Sequence, residues 1–511
     1  MGTVAENGTV VVIGGGVGGL CSAIRAASAG CRVVLLERAA TIGGKMRVLG
    51  PREIDAGPTV LTMRWAFDQL FTAAGRDLGD YVELVALEIL ARHAWPDGGT
   101  LDLFADPERT AEAIAAFAGP KEAEGYRRFR AHTARIFSVV EQPFLRSKRP
   151  SLVTVATAKG LRGILEFASI DWHRSMWQAL ASFFTDPRLR QLFGRYATYY
   201  GSSPFRAPAT LNLIAHVEAQ GVWRVSGGMS RLARGLETLA RELGVEIRTS
   251  SAVERVDLGR DGAVQAVRLH GGERVPAAAV IVNAAPQALD AGLLGEHLRG
   301  CVGLRDAPRS LSAVTWALRA PVTGALVPAH HNVCFSSDYP EEFRSLERGE
   351  LPEEPTVYVC AQDRSDDNNG SAQTLERERL LVLVNAPALG DRGGYSPTQL
   401  DDLQARSFDV LRRCGFAIDL AAADEPPLRT EPRDFEDLFP ATGGALYGTA
   451  THAMMAPFHR PAARTSVRGL YLAGGGAHPG AGVPMVCLSG QLAAEAVLGD
   501  FPTLARGRRS A

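Results

Sequence analysis

The chain has 511 residues, enough for a large hydrophobic core and two or three structural units. Its 55 basic and 56 acidic residues leave a net charge of −1, which gives no electrostatic basis for binding nucleic acid. The seven cysteines are scattered and form no C-x-x-C pair, which argues against a disulfide framework and fits a reducing cytosol. His330 and His331 are adjacent and would point different ways in regular structure, so we predict no metal site.

The sequence predicts neither a signal peptide nor a membrane-spanning helix. The N-terminus lacks a basic region followed by a long apolar run. The longest mostly apolar stretch, residues 275–289, is too short to span a bilayer and is interrupted by Pro276, Asn283 and Pro286. The mean hydropathy of −0.02 still allows contact with a membrane surface.

The strongest motif lies near the N-terminus. Residues 10–13 form a β-branched apolar run that predicts a buried strand. Gly14, Gly16 and Gly19 then occupy the three positions of G-x-G-x-x-G, and helix-permissive residues continue to Gly30. This pattern predicts a strand, a tight glycine turn and a helix.

A second strand, Arg32–Leu36, ends at Glu37, the position at which a dinucleotide-binding unit carries its acidic residue. We expect Gly16 to admit a pyrophosphate to the helix N-terminus, and Glu37 to accept hydrogen bonds from ribose hydroxyls. We expect Gly14 to form the tight turn and Gly19 to allow close packing of helix and strand. A glycine-rich turn in another α/β protein is the alternative, but it does not explain these features together.

A second group of glycines follows this unit. Gly43, Gly44 and Lys45 come after Arg38, and the turn at residues 57–59 comes after Asp55. NAD binding does not require these residues. They suit a longer cofactor whose far end curls back over the first unit, with Lys45 and the turn contacting a pyrophosphate or a flavin ring.

These residues, read as ER-x4-GGK followed by D-x-G, resemble the N-terminal FAD signature of the amine oxidase and carotenoid desaturase superfamily. Residues 469–490 (GLYLAGGGAHPGAGVPMVCLSG) look like the closing flavin-contacting strand and helix of carotenoid desaturases. Monoamine oxidase relatives usually carry an acidic residue after the AG of this segment. Here Gly475 follows Ala473 and Gly474, which favours the desaturase branch.

The resemblance implies FAD as the cofactor, with the backbone of Val253 against the adenine. Desaturases commonly carry a glycine at the position of Met485, so this residue puts local contacts with the flavin ring in doubt. The cofactor-binding residues that the resemblance and the motif together predict are Gly14, Gly16, Gly19, Glu37, Arg38, Gly44, Lys45, Gly57, Pro58, Thr59, Val253, Gly474, Gly475, Val483 and Met485.

The resemblance also implies the fold: an α/β protein of two-domain, amine oxidase/GDI-like architecture. A discontinuous Rossmann-like FAD-binding domain would comprise residues 1–75, 225–300 and 455–511, and an α+β substrate domain residues 76–224 and 301–454. Residues 144–184 combine a basic lead with aromatic and apolar residues, a composition typical of an interfacial membrane segment. A helical lid packed on the substrate domain is the alternative. Residues 362–373 predict an exposed loop.

Four stretches (residues 195–218, 330–343, 355–364 and 444–461) look like the 1-hydroxycarotenoid 3,4-desaturases, or methoxyneurosporene dehydrogenases, of anoxygenic phototrophs. They resemble phytoene desaturases less, and Cys334 and Cys360 depart from the usual pattern. The resemblance implies FAD-dependent 3,4-desaturation of an acyclic 1-hydroxy- or 1-methoxycarotenoid. It also implies a cytoplasmic enzyme associated peripherally with the inner, photosynthetic membrane, with a quinone or oxygen as the electron acceptor.

The alternatives are phytoene desaturase, an amine or porphyrinogen oxidase, and a non-enzymatic prenyl-lipid carrier of the GDI-like fold. Desaturation of a polyene requires a two-electron acceptor, which a flavin supplies, and it requires no strong acid–base group from the protein. No spacing in the sequence predicts such a group. His93, Trp95 and His331 are candidate pocket residues, but a core or surface role is the simpler interpretation, and we predict no catalytic residue.

Overall fold

The computed structural model describes residues 8–145, 147, 170–171, 173–304, 307–364, 375–452 and 460–506. Most of residues 144–184, interpreted above as a membrane-contacting lid, lie outside this set, as does most of the predicted loop at 362–373. Both interpretations stay predictions.

Many strands are short. In chain order they are β1 (Thr9–Ile13), β2 (Arg32–Leu36), β3 (Val48–Leu49), β4 (Ile54–Asp55), β5 (Leu84–Ala86), β6 (Ile89–Ala94), β7 (Thr100–Phe104), β8 (Trp223–Val225), β9 (Glu246–Arg248), β10 (Val253–Leu258), β11 (Val264–Leu269), β12 (Arg274–Pro276), β13 (Ala279–Val282), β14 (Ser312–Ala320), β15 (Val322–Thr323), β16 (His331–Cys334), β17 (Val357–Ala361), β18 (Glu378–Ala386), β19 (Ala417–Ile418), β20 (Leu428–Thr430) and β21 (Leu470–Leu472).

The helices are, in the same order, α1 (Val17–Ser28), α2 (Trp65–Ala73), α3 (Pro107–Ala118), α4 (Pro120–Val140), α5 (Met176–Leu180), α6 (Pro187–Gly194), α7 (Leu213–Ala219), α8 (Ser230–Glu242), α9 (Pro286–Asp290), α10 (Tyr339–Arg348), α11 (Pro397–Arg413), α12 (Pro432–Leu438) and α13 (Val483–Asp500). A 3₁₀ helix, Arg195–Tyr200, continues directly from α6. Within the described parts of the chain, no helix is both long and apolar enough to span a bilayer.

A five-stranded parallel sheet of order β21-β13-β1-β2-β9 carries the glycine motif. Its central strand β1 is flanked in register by β2 and β13, so that Val10 pairs with both Val33 and Ala279. Apart from the first residues of β1 and β2, these three strands are apolar and buried, because helices and further strands cover both faces of a parallel sheet. The predicted α/β class is confirmed. The sheet joins strands from each of the three segments assigned to the FAD-binding domain, and the domain boundaries themselves stay a prediction.

Helix α1 packs closely against α13, the last α-helix among the described residues. A Cβ atom on Gly490 would lie 2.4 Å from the carbonyl oxygen of Gly18, so no other residue fits at this crossing. Because α1 also follows β1 through the glycine turn, this contact places the C-terminal segment beside the N-terminal motif.

The second large sheet is seven-stranded and mixed, with the order β20-β14-β18-β17-β16-β6-β7. All its neighbours are antiparallel except β16 and β6. One face packs on α11 through an apolar cluster that includes Trp316, Val382 and Leu403. The opposite face carries Thr315, Tyr358 and Leu383, which line a large cavity.

Helices α3 to α7 form a separate core beside this sheet. Phe193 lies at its centre, with ring centroids 4.9 Å from both Phe129 and Phe184. This packing holds the 3₁₀ helix Arg195–Tyr200 and α7 against the cavity, and these two elements supply several of its polar side chains.

Candidate active site

The glycine turn after β1 is tightly packed against its neighbours. Gly14 has φ +99°, and a Cβ atom there would lie 2.7 Å from the backbone oxygen of Asn283. A Cβ atom on Gly19 would lie 2.0 Å from the oxygen of Gly14. Larger residues at either position would therefore disturb the fold itself, in line with the turn and close packing predicted from the motif.

Gly16 differs from these two glycines. It caps α1 with an extended backbone (φ −72°, ψ 176°), and a Cβ atom there would lie 3.1 Å from the Asn283 side-chain nitrogen and in ordinary contact with Gly44 Cα at 3.8 Å. It pairs with Gly43 in a parallel bridge, and the amide of Gly43 donates to the oxygen of Gly15 over 2.9 Å. The two glycine groups that the sequence separates thus form one continuous surface.

This surface is part of the wall of a cavity of about 1310 Å³. Every predicted cofactor residue lines the cavity except Gly19, which lies in the packing between α1 and β1. Small-molecule sites typically measure roughly 300–1,000 Å³, so this volume can hold a dinucleotide together with part of a second ligand.

Glu37 lies at the carboxyl end of β2 and is 8% exposed. Its Oε2 accepts a hydrogen bond from the amide of Gly15 at 2.6 Å, and its Oε1 accepts one from the amide of Ala39 at 2.8 Å. Because a carboxylate has about four lone-pair sites, these bonds fix its orientation and leave acceptors for ribose hydroxyls.

Lys45 and Arg38 contact residues 438–446, which were not predicted to contribute to the cofactor site. The Lys45 ammonium faces the cavity, donates to the oxygen of Leu446 at 2.7 Å and lies 5.1 Å from the Phe439 ring centroid. Although Lys45 is exposed to solvent in the open cavity, the protein groups packed around it lower its pKa to about 8 by desolvation. Arg38 donates to the carbonyl oxygen of Leu438. The two cations therefore join the glycine unit to the end of α12 and to the segment that follows it.

Two helix N-termini open onto the cavity. Helix α1 begins after Gly16, and α13 begins after Gly482, which has φ +111°. Val483 and Met485, in the first turn of α13, line the cavity. The unpaired amide groups and the positive ends of the helix dipoles favour an anionic group such as a pyrophosphate.

Asn283 is the residue at this end of the cavity that sequence reasoning missed. It follows β13 directly, and its Nδ2 donates to the oxygen of Gly14 at 3.2 Å. A Cβ atom on Gly18 or Gly474 would lie 2.6 Å from its Oδ1. The sequence did contain a signal for Asn283, because it is a polar residue that directly follows an apolar strand. Ligands bind at the carboxyl ends of such parallel strands.

We expect Asn283→Asp to weaken FAD binding by about tenfold or more. The substitution preserves shape but removes the donor to Gly14 and places a carboxylate beside the proposed pyrophosphate position. Titration of the apoprotein with FAD, followed by quenching of flavin fluorescence, measures the change. Unchanged affinity, with an unchanged far-UV circular dichroism spectrum, would show that Asn283 only packs the glycine turn.

The candidate pocket residues His93, Trp95 and His331 do not line the cavity. His93 is fully buried between Leu101 and Arg195, and Trp95 Nε1 donates to Gln191 at 2.8 Å. His331 Nδ1 lies 2.7 Å from the Tyr358 hydroxyl oxygen. All three side chains are buried in the core, and a core role for them stays a prediction.

The expectation that His330 and His331 point different ways is wrong. Their ring centroids are 4.6 Å apart, because His330 precedes β16 and the alternation of a strand does not apply to it. Cys360 joins them, with Sγ 3.7 Å from His330 Nε2. A thiol–imidazole hydrogen bond accounts for this contact. Burial lowers the pKa of His330 to about 4. The absence of a metal site at these residues stays a prediction.

A buried polar network, also missed from the sequence, forms another part of the cavity wall. Arg195 and Glu218 are 4% and 3% exposed. Arg195 Nε lies 3.1 Å from His93 Nε2, and its Nη1 donates to the Tyr199 hydroxyl. The hydroxyls of Tyr196 and Tyr199 both donate to Glu218. Glu218 lies on α7, whose apolar residues Ile214 and Val217 also line the cavity.

Together, the parallel sheet, the paired glycine loops, the two helix N-termini and the large cavity define a flavin-dependent oxidoreductase. The family model for flavin containing amine oxidoreductases matches residues 17–498. A hydroxyneurosporene desaturase from Rubrivivax gelatinosus is 46% identical over 505 residues, covering 98% of this chain and 95% of that protein. The hydroxyneurosporene desaturase of Cereibacter sphaeroides is 44% identical over 502 residues, covering 97% and 99%.

The chain therefore belongs to the carotenoid desaturases within the family of flavin-containing amine oxidoreductases, and its cofactor is FAD. Among solved structures, an oxidoreductase from Methanosarcina mazei matches with a TM-score of 0.60 at 16% identity, covering 96% of this chain and 100% of that one. At this identity the likeness shows the fold alone.

Proposed function

We propose that the protein is an FAD-dependent desaturase that introduces a C-3,4 double bond into an acyclic 1-hydroxy- or 1-methoxycarotenoid. The observation that carries this proposal is the similarity to two hydroxyneurosporene desaturases over 97% or more of the chain. The similarity includes the seven-stranded sheet and helices that build the substrate side of the cavity, beyond the cofactor motifs alone.

The composition of the cavity wall supports a polyene substrate. Beyond the cofactor residues, the wall includes apolar side chains from α7, β16 and β18, namely Leu213, Ile214, Val217, Val333, Leu381 and Leu383. Contact of a long hydrocarbon with such a wall is favourable by about 25 cal/mol per Å² of apolar surface removed from water. The same contact excludes water from the reacting bond.

A bound FAD would supply the two-electron acceptor for this reaction. The protein would bind its adenosine end through Glu37 and the glycine loop. The turn at residues 57–59 and the first turn of α13 line the same cavity and would hold the flavin end. The apolar wall would then hold the polyene in a dry site, with the C-3,4 bond against the cofactor.

Desaturation lengthens the conjugated system, so we expect a red shift of the carotenoid absorption spectrum. The protein with FAD is incubated with liposomes containing 1-hydroxyneurosporene and, separately, phytoene. A shift with phytoene alone would contradict the substrate assignment. Protein that contains no flavin, does not bind added FAD and shifts neither spectrum would instead indicate a prenyl-lipid carrier.

We further propose that the protein works at the surface of the inner membrane and passes electrons to a quinone or to oxygen. The water-insoluble substrate supports the membrane location. Flotation of the protein with liposomes tests this location. Running the desaturation assay without oxygen, with and without an added quinone, separates the two acceptors.

A further inference from the structure

Arg460 is a buried cation that has no carboxylate partner among the described residues. It is 6% exposed, and its guanidinium donates to three backbone oxygens: those of Gly475 at 2.7 Å, Tyr447 at 3.0 Å and Thr449 at 3.4 Å. Burial lowers its pKa, but a guanidinium stays charged at neutral pH. Buried charges are normally paired with an opposite charge, so this one calls for an explanation.

Arg460 lies directly behind the cavity wall. It does not line the cavity itself, whereas Gly448, Gly475 and Gly476 do. A Cβ atom on Gly448 would lie 3.3 Å from Nη1 of Arg460 and 3.1 Å from Cα of Gly476, so the two glycine loops meet at the guanidinium. The ring centroid of Tyr200, another wall residue, lies 5.7 Å from the guanidinium carbon. Three segments of the wall therefore contact this one cation.

The bond from Arg460 to Gly475 also fixes the direction of the next amide. The peptide that joins Gly475 to Gly476 is trans, and in a planar trans peptide the C=O and N–H bonds point in opposite directions. Because the oxygen points to Arg460 behind the wall, the N–H of Gly476 points toward the cavity. Neither Gly475 nor Gly476 donates its amide to another described residue, and both are half-buried. Two consecutive amide donors are therefore open to a ligand.

The loop at residues 474–476 contacts both helix N-termini that open onto the cavity. A Cβ atom on Gly18, in the first turn of α1, would lie 3.1 Å from the nitrogen and Cα of Gly474. A Cβ atom on Gly475 would lie 3.5 Å from Cα of Ala481, just before α13 begins. The free amides of this loop thus lie where the helix dipoles favour an anion, which is the expected position of the pyrophosphate of FAD.

An anion bound at this loop would account for the unpaired charge of Arg460. One peptide group would separate the anion from the guanidinium, so the two would not form a direct ion pair. The region is largely closed to water, however, and an interaction between charges is screened less there than at the surface. The guanidinium also polarises the peptide whose oxygen it binds, which strengthens the N–H of Gly476 as a donor.

We propose that Arg460 is a positioning residue for the pyrophosphate of FAD. Its bond to Gly475 holds the N–H of Gly476 toward a pyrophosphate oxygen, and its charge offsets the negative charge of that group. Gly475 was predicted from the sequence as a cofactor residue, whereas Arg460 was not. The inference rests on the FAD site of the proposed function and is independent of which carotenoid is the substrate.

The test compares Arg460→Gln, which keeps a neutral donor, with Arg460→Lys, which keeps the charge. Binding of FAD to the full-length, flavin-free protein is measured by quenching of flavin fluorescence, and binding of ADP and of adenosine by competition with FAD. We expect Arg460→Gln to weaken binding of FAD and of ADP by about tenfold or more, the effect of one hydrogen bond to a charged group. Adenosine has no pyrophosphate, so its affinity should change by less than about twofold. Arg460→Lys should bind FAD within about threefold of the original protein, because the charge remains.

Arg464→Gln is the matched control, because Arg464 pairs with Asp500 at the surface, with side chains 43% and 38% exposed, and does not line the cavity. It should leave all three affinities unchanged. The proposal is overturned if Arg460→Gln binds FAD as the original protein does, weakens ADP and adenosine equally, or loses its far-UV circular dichroism spectrum. Arg460→Lys that binds FAD as weakly as Arg460→Gln would also overturn it, since the charge would then have no effect. An original protein that binds no FAD would instead contradict the cofactor of the proposed function.

Discussion

Gly16→Val is expected to abolish retention of FAD while leaving the secondary structure intact. A Cβ atom at Gly16 would lie 3.1 Å from the side-chain nitrogen of Asn283 and no closer than 3.8 Å to any backbone atom beyond its chain neighbours, so the Asn283 amide must shift slightly while the surrounding backbone can remain in place. The added methyl groups would occupy the surface where α1 begins, where the pyrophosphate must approach the backbone amides closely. The substitution therefore acts against the ligand rather than against the fold.

The measurement is the ratio of flavin to protein absorbance after gel filtration, together with the far-UV circular dichroism spectrum. Gly79→Val is a suitable control, because Gly79 lies in an exposed turn far along the chain from the glycine motif and its φ is not positive. Gly14→Val should instead lower stability, since Gly14 has φ +99° and lies against the Asn283 backbone. Stoichiometric flavin in purified Gly16→Val would contradict the cofactor geometry.

Arg195→Met is expected to lower the free energy of unfolding by about 3–5 kcal/mol, the usual effect of removing one partner of a buried ion pair. The side chains of Arg195 and Glu218 are 5% and 4% exposed, and the shortest nitrogen–oxygen distance between them is 3.6 Å. Without the guanidinium, the Glu218 carboxylate would keep the hydroxyls of Tyr196 and Tyr199 but would lose its buried countercharge.

Urea unfolding followed by circular dichroism measures this loss. Arg241→Met is the control, because Arg241 pairs with Glu237 on the surface of α8, with side chains 51% and 25% exposed, and such pairs contribute about 1 kcal/mol or less. Adding Glu218→Gln to Arg195→Met should restore part of the stability, because the neutral amide needs no countercharge. A single Arg195→Met variant as stable as Arg241→Met would show that the buried pair does not stabilise the fold.

Local patterns predicted the N-terminal unit well. The second strand was predicted as Arg32–Leu36 and is found with those bounds, and the first strand extends one residue beyond the predicted run. Both are short apolar runs that end at a glycine or a charged residue, so their signal lies within a few neighbouring positions. Helix α1 begins within the glycine motif and ends two residues before Gly30, as the pattern indicated.

The histidine pair shows the limit of such local rules. Alternation along a strand separates neighbouring side chains only when both residues belong to the strand. β16 begins at His331, so His330 is free to turn its ring toward its neighbour. The boundary of a strand depends on pairing with β6 and β17, which lie elsewhere in the sequence.

By itself, the sequence determined the dinucleotide unit, the FAD signatures at both ends of the chain and, through resemblance, the family. Each of these depends on residue identity at close spacing. Only the tertiary structure decided that Asn283 supports Gly14 across 269 positions of sequence and that Arg195 lies against His93 across 102 positions. Such contacts form where segments that are far apart in the sequence pack together. The hydrophobic periodicity of one segment does not identify the segment that it packs against.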